Sequence, residues 1–390
     1  MIRRSAVCWA LAASLLPASL MAAPPTAEQQ FAAAVELLRK GQSQNALSAL
    51  ESLTQREPGF RIAQLFHGEL LAAISGNGAP ATANDAADPR VTELAEEARI
   101  RLLSEKAIPP EGKLPNAILQ LADDYQHAVV VDLARARLYL MQHRDGRLQV
   151  VRHHYAAMGK NGARKQVTGD NRTPVGIYQI TGWIADATLP ELYGAGALPL
   201  DYPNLWDRAL GRTGSGIWLH GVPRDTYSRP PRSSEGCVTM ANDDLTTLQP
   251  YVRYGRTPVI LSDELEWVDA DKAQKERDAM LARVEAWRAA WASRDTDAYL
   301  TFYADDFATP GMGRAAFAAH KRRVNATKKF IEIDLRQLSL YRYPGTDVPV
   351  LMAEFTMDYR SDNYKVTARK QQYWKRAADG EWRIIREENR

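Results

Sequence analysis

At 390 residues the chain is too long for one compact core, and at roughly 100 to 200 residues per domain it should hold several. Apolar residues make up 45%, charged residues 25% and aromatics 8%, which excludes a disordered chain, a collagen and a membrane bundle. Fifty Lys and Arg against 47 Asp and Glu leave a net charge of +3, without the concentrated basic footprint of a nucleic-acid binder, so no nucleic-acid partner is expected.

Arg3 and Arg4 precede an apolar run over 6–20, and Ala22-Ala23-Pro24 then changes the composition. This charged, apolar and small-residue succession predicts a cleavable secretory signal over 1–22. A membrane span needs about 20 apolar residues, whereas this run is shorter and is followed by Pro24-Pro25. Of the two cysteines, Cys8 would leave with the signal, so Cys237 would face an oxidising compartment with no disulfide partner.

Phe31, Val35 and Leu38, then Ala46, Leu50 and Leu53 before Pro58, recur at helical spacing and predict short helices from residue 27. Gly41, Ala46, Leu50, Leu53 and Pro58, followed by Gly68 and Leu71, resemble one tetratricopeptide repeat and the opening of a second, fewer than the about three copies such arrays need. The expectation is an α-helical module over 27–105 that docks on the next domain or on a second copy of itself as a homodimer. Stretches 76–89 and Pro109 to Pro115 read as linkers around a short helix at 93–103.

From Ala128 the pattern becomes that of strands. Val129-Val130-Val131, Arg137 to Leu140, the turn Asp145-Gly146 and Leu148 to Val151 signal a hairpin. Further strands at 176–181, 216–219 and 257–261 predict a mostly-β domain over 120–263, with a Gly- and Pro-broken excursion over 183–212 of the kind that often frames a site. A third unit over 273–390 opens with a helix carrying Met280, Val284, Trp287 and Trp291 on one stripe and continues with strands at 331–335, 348–359, 364–377 and 382–385. Helices followed by a curved antiparallel sheet resemble the α+β cone of nuclear-transport-factor-like (SnoaL-like) domains, whose ligand here the sequence leaves unknown.

Two fragments carry the chemistry: Ile217-Trp218-Leu219-His220-Gly221 and Ser233-Ser234-Glu235-Gly236-Cys237-Val238-Thr239-Met240. A nucleophilic cysteine needs an imidazole within reach and a group that orients it. Gly236 allows close approach of a reacting carbonyl, with the amides of Gly236 and Cys237 expected free to hold an oxyanion. A thiol activated in this way should be alkylated well below the pH of an ordinary cysteine. A buried inert thiol and a zinc site through Cys237, His220 and His153 or His154 are the alternatives, but no close metal-ligand pair accompanies Cys237, so neither metal nor cofactor is expected.

His-Gly followed after a loop by Ser-x-Gly-Cys, with Thr173-Pro174-Val175-Gly176 upstream, resembles the YkuD-type catalytic domain of the L,D-transpeptidases. Two positions depart from its common form: Glu235 replaces a His, and Thr239 replaces an Arg. The resemblance implies a bacterial, periplasmic cysteine enzyme of peptidoglycan stem peptides, with Cys237 as nucleophile, His220 as base and the Gly221 carbonyl orienting the imidazole. Stems ending in diaminopimelate and D-Ala carry carboxylates, which makes Arg172, Arg229 and Arg232, with Ser234, the candidate substrate contacts. The order of helical module, catalytic domain and cone is similar to that of the cell-shape L,D-carboxypeptidases, which trim the terminal D-Ala of tetrapeptide stems. The alternatives are an L,D-transpeptidase forming 3→3 cross-links or attaching a protein or D-amino acid, and a non-catalytic wall-binding scaffold in which Trp287 and Trp291 line a pocket.

Overall fold

The computed structural model describes residues 25–75, 89–105, 109, 112–227 and 229–390. The expected signal with Cys8, and residues 76–88 of the expected linker, lie outside them. Among the described residues, no helix is long and apolar enough to cross a membrane.

Helices α1 (Ala27–Arg39), α2 (Ser43–Arg56), α3 (Arg61–Ile74) and α4 (Pro89–Glu105) form the N-terminal module. Thr26 starts α1 with a capping box: its hydroxyl accepts from the Gln29 amide at 3.2 Å while the Gln29 side chain accepts from the Thr26 amide at 3.0 Å. The apolar stripe read from the sequence is the core, with Phe31, Leu50, Leu53 and Phe60 fully buried.

Between this module and the next domain lies a buried ionic network. The Glu28 carboxylate is held by Arg101 of α4 at 3.3 Å and by Arg137 at 2.9 Å, and Arg101 also pairs with Glu97 at 2.9 Å. Burial opposes the charge on Glu28, but the two guanidiniums keep its carboxyl below the usual range. The Arg101 guanidinium also stacks 3.6 Å from the Tyr155 ring.

The short strands β1 (Lys113–Pro115) and β2 (Ile118–Gln120) precede the central sheet of β3 (His127–Asp132), β4 (Arg137–Arg144) and β5 (Arg147–Tyr155). Asp145 and Gly146, both at positive φ (51° and 70°), close the β4–β5 hairpin as their sequence predicts. Then come β6 (Met158–Gly159), β7 (Gly176–Gln179), β8 (Ile184–Ala185), β9 (Gly196–Pro199), α5 (Leu205–Ala209), β10 (Trp218–His220), β11 (Arg232–Ser234), β12 (Val238–Thr239), α6 (Asn242–Leu248) and β13 (Pro258–Ser262). The main sheet has the order β5-β4-β3-β13-β7, with β13 parallel to β3, and a second sheet has the order β12-β10-β9-β8. Val129, Leu138, Leu198, Leu219, Val238 and Leu261 fill the space between them.

Strand β14 (Trp267–Asp269) leads into α7 (Ala270–Ala292), α8 (Thr296–Leu300), β15 (Tyr303–Thr309), β16 (Met312–Gly313), α9 (Arg314–Ala326), β17 (Ile331–Arg342), β18 (Val350–Ser361), β19 (Lys365–Arg376) and β20 (Trp382–Asn389). The stripe on α7 faces inward: Met280, Val284, Trp287 and Trp291 are all buried, and the Trp287 indole donates to Tyr303 Oη at 3.1 Å. The sheet order β16-β15-β20-β19-β18-β17-β2 includes a strand from before the catalytic domain, since β2 pairs with β17. Residues 113–115, expected within a linker, form β1 and pair with β14. Both pairings tie the central domain to the cone.

The excursion over 183–212 makes a further tie. Trp206 stacks on Tyr373 of the cone, with ring centroids 5.4 Å apart and planes 14° from parallel. Asn204 donates to Tyr343 Oη at 2.8 Å.

Candidate active site

His220 ends β10, the strand between antiparallel β9 and parallel β12. The parallel register sets Leu219 opposite Val238 and His220 opposite Thr239, so Cys237, one residue before β12, falls level with Trp218, two residues before His220 on the neighbouring strand. Cys237 Sγ lies 3.3 Å from the Gly216 carbonyl and receives the Trp218 amide. Two fragments separated by a loop are thus joined by sheet pairing.

His220 is buried, and its Nδ1 lies 2.7 Å from the Gly221 carbonyl. A carbonyl only accepts, so this bond puts the proton on Nδ1 and leaves the Nε2 lone pair as the available base. Burial, then the nearby Arg229 charge, lower the imidazole pKa to about 4 against the raising effect of the Gly221 carbonyl. Burial likewise pushes the Cys237 thiol up to about 11, helped by Glu235 and opposed by the Trp218 amide. Both shifts favour a neutral thiol and a neutral imidazole at rest, the opposite direction to the one that alkylation well below the ordinary thiol pH requires.

Gly236 has φ +128°, and a Cβ there would come 2.8 Å from the Arg172 carbonyl, so the position requires glycine. Its amide donates to Ser234 Oγ at 3.1 Å, and Ser234 Oγ donates to the Cys237 carbonyl at 2.6 Å. This corrects two expectations. The Gly236 amide is engaged and the Ser234 hydroxyl is part of the turn, which leaves the Cys237 amide as the remaining candidate oxyanion donor of the expected pair.

Most of the basic side chains are also engaged. Arg172 donates to the Ala163 carbonyl at 3.0 Å, Lys165 pairs with Asp170 at 2.7 Å, and Arg224 pairs with Glu191 and Asp186 at 2.6 and 2.7 Å. Arg232 is exposed on β11, and Arg229 is half-buried, its carbonyl accepting from Tyr155 Oη at 2.9 Å. Arg172 thus braces a loop rather than presenting a free fork. Among the described residues no group of three His, Cys, Asp or Glu is placed to hold a metal ion, and His154 Nδ1 faces Asp244 at 2.8 Å.

Two residues of the site carry no signal in the motif. Tyr193, in the excursion, sets its ring edge-on to His220 with centroids 4.9 Å apart and also packs on Trp218 at 5.0 Å. Asn242 accepts from the Ala195 and Val222 amides at 2.8 and 3.2 Å and donates to the Val222 carbonyl at 2.8 Å, holding the excursion against the segment after His220. Asn242 follows Cys237 closely in sequence, whereas nothing in the spacing marks Tyr193.

The L,D-transpeptidase catalytic domain (YkuD) family matches residues 126–261, and the Cds6 C-terminal NTF2-like domain matches residues 279–388. The solved structure of Bdellovibrio bacteriovorus Bd1075 is 30% identical, covers 71% of this chain and 98% of its own, and superposes with a TM-score of 0.62. The chain belongs to the L,D-transpeptidase family. The helical cell shape determining protein Pgp2 from Campylobacter jejuni is also similar, at 27% identity over 70% of this chain and 95% of its own, with a TM-score of 0.60. No curated protein matches the sequence. This L,D-transpeptidase-family protein accordingly has three parts, an N-terminal helical module, a YkuD domain whose family acts on peptidoglycan stems, and a C-terminal NTF2-like cone.

Proposed function

We propose that the protein is an exported, periplasmic cysteine L,D-carboxypeptidase that removes the terminal D-Ala from diaminopimelate tetrapeptide stems. The observation that carries this reading is the sheet pairing that sets the segments ending in His220 and starting after Cys237 side by side, while the Gly221 carbonyl locks the imidazole with Nε2 unprotonated. Similarity along almost the whole length of Pgp2, a cell shape determining protein, supports a role in cell shape, and the order of the three parts is similar to that of the cell-shape L,D-carboxypeptidases.

In the proposed cycle His220 Nε2 takes the Cys237 proton as Sγ attacks the carbonyl of the diaminopimelate L-centre. The Cys237 amide stabilises the oxyanion. The imidazolium returns the proton to the departing D-Ala amine, leaving a thioester, and a water deprotonated by Nε2 releases the tripeptide and the thiol. In this cycle proton transfer coincides with attack, consistent with burial disfavouring the charged form of each group.

The test is incubation of the mature protein, and of Cys237→Ala, with purified tetrapeptide muropeptides, read by mass spectrometry. Cys237-dependent loss of one alanine without dimers supports the reading. Cross-linked dimers replace it with a transpeptidase, and absence of any Cys237-dependent product replaces it with a scaffold.

A further inference from the structure

Glu235, the departure from the family motif, has a partner in the fold. Parallel pairing of β6 with β11 sets Gly159 opposite Ser234, and Lys160 donates its amide to the Ser234 carbonyl at 2.8 Å. This register brings the Lys160 ammonium 3.8 Å from the Glu235 carboxylate. The two side chains are 52% and 83% exposed, and their separation exceeds a hydrogen bond, so the pair is solvated and holds itself together weakly. A ligand with one charge of each sign can replace it at little cost.

Glu235 stands two residues before Cys237. Burial is the main cause that raises the Cys237 thiol and the Tyr193 phenol, and the Glu235 charge adds to both, as expected of a carboxylate near the two groups. Nearby charges are engaged elsewhere: Lys165 on Asp170, Arg224 on Glu191 and Asp186. Lys160 and Glu235 offer an opposite-charged pair close in sequence and register to the thiol.

We propose that Lys160 and Glu235 form a specificity subsite for the zwitterionic D-centre of diaminopimelate, Glu235 taking its ammonium and Lys160 its carboxylate. This rests on the peptidoglycan reading above and deepens it. A stem whose D-centre amine is acylated, as in a cross-linked acceptor stem, loses the Glu235 contact. The enzyme therefore prefers stems whose amine is free.

The experiment compares the mature protein with Glu235→Gln on two tetrapeptide stems, one with a free D-centre amine and one acetylated there. The wild type should favour the free amine by about fivefold in kcat/KM, mainly through KM, and the ratio should fall to near one in Glu235→Gln. Lys160→Met should in the same way lose discrimination between the D-centre carboxylate and its carboxamide. Because each ratio compares two substrates on one protein, a general loss of activity does not move it. A wild type indifferent to acetylation, or an unchanged ratio in Glu235→Gln, overturns the subsite while leaving the carboxypeptidase reading intact. Absence of any Cys237-dependent product from either stem overturns that reading and the subsite with it.

Discussion

The Tyr227 amide donates to the Gly59 carbonyl at 3.1 Å, joining the loop between His220 and Cys237 to the turn between α2 and α3. The Phe60 and Tyr227 rings pack beside this bond with centroids 4.4 Å apart. The helical module therefore braces the segment that connects the two candidate catalytic residues.

A Cβ at Gly59 would meet the Asp225 carbonyl at 2.7 Å and the Tyr227 amide at 2.8 Å, backbone atoms that must shift to admit it. Gly59→Ala is expected to destabilise the docked module by about 1 to 3 kcal/mol and to lower turnover through the displaced loop. Steady-state kinetics and limited proteolysis check this together; wild-type behaviour in both would show that the loop keeps its shape without the brace.

Glu28→Ala leaves Arg101 and Arg137 buried without their shared carboxylate, a change expected to cost about 3 kcal/mol. The folded-state pKa of Glu28 is depressed, so its stabilisation is present above the unfolded carboxylate pKa and is lost as pH falls through the lower folded value. Thermal melts of wild type and Glu28→Ala should converge in acid and separate near neutrality. A constant separation at every pH would remove the ionic explanation.

His220 must be neutral to accept a proton, and its pKa is near 4. The acid limb of kcat/KM should lie close to that value, with activity level through neutrality, and iodoacetamide labelling of Cys237 should rise only toward pH 11. An acid limb between 6 and 7, or rapid labelling below pH 7, would point to a preformed thiolate–imidazolium pair.

Tyr193→Phe keeps the ring against His220, whereas Tyr193→Ala removes it. The first should retain turnover and the second should lose about fivefold, matching the roughly 1 kcal/mol of an aromatic pair. Equal losses in the two variants would assign the effect to the hydroxyl instead.

Gly236→Ala forces a side chain into the left-handed backbone region and against the Arg172 carbonyl. Circular dichroism should remain native while turnover falls by at least tenfold, since the strain of about 1 to 3 kcal/mol falls on the turn that presents Sγ. Retained turnover would mean that the turn relaxes freely.

Elements with strong local periodicity were legible in the sequence. The α7 stripe, the Asp145-Gly146 hairpin and the strands 129–131 and 257–261 stand where their patterns predict, because each buries a face whose spacing is written locally. Strand β2 was not legible: three residues carry too little periodicity, and their partner β17 lies on the far side of the catalytic domain. The engagement of Arg172 was not legible for a similar reason, since its partner, the Ala163 carbonyl of a neighbouring loop, is invisible to composition.

The candidate nucleophile, the candidate base and the family resemblance follow from residues 217–221 and 233–240 alone, because acyl-transfer chemistry needs particular side chains that few other patterns supply. Only the tertiary structure decided the burial that shifts the pKa values of that pair, the engagement of the Gly236 amide in its turn and the brace from Gly59. Those depend on burial and on hydrogen bonds between segments distant along the chain, and neither property resides in a single stretch of sequence.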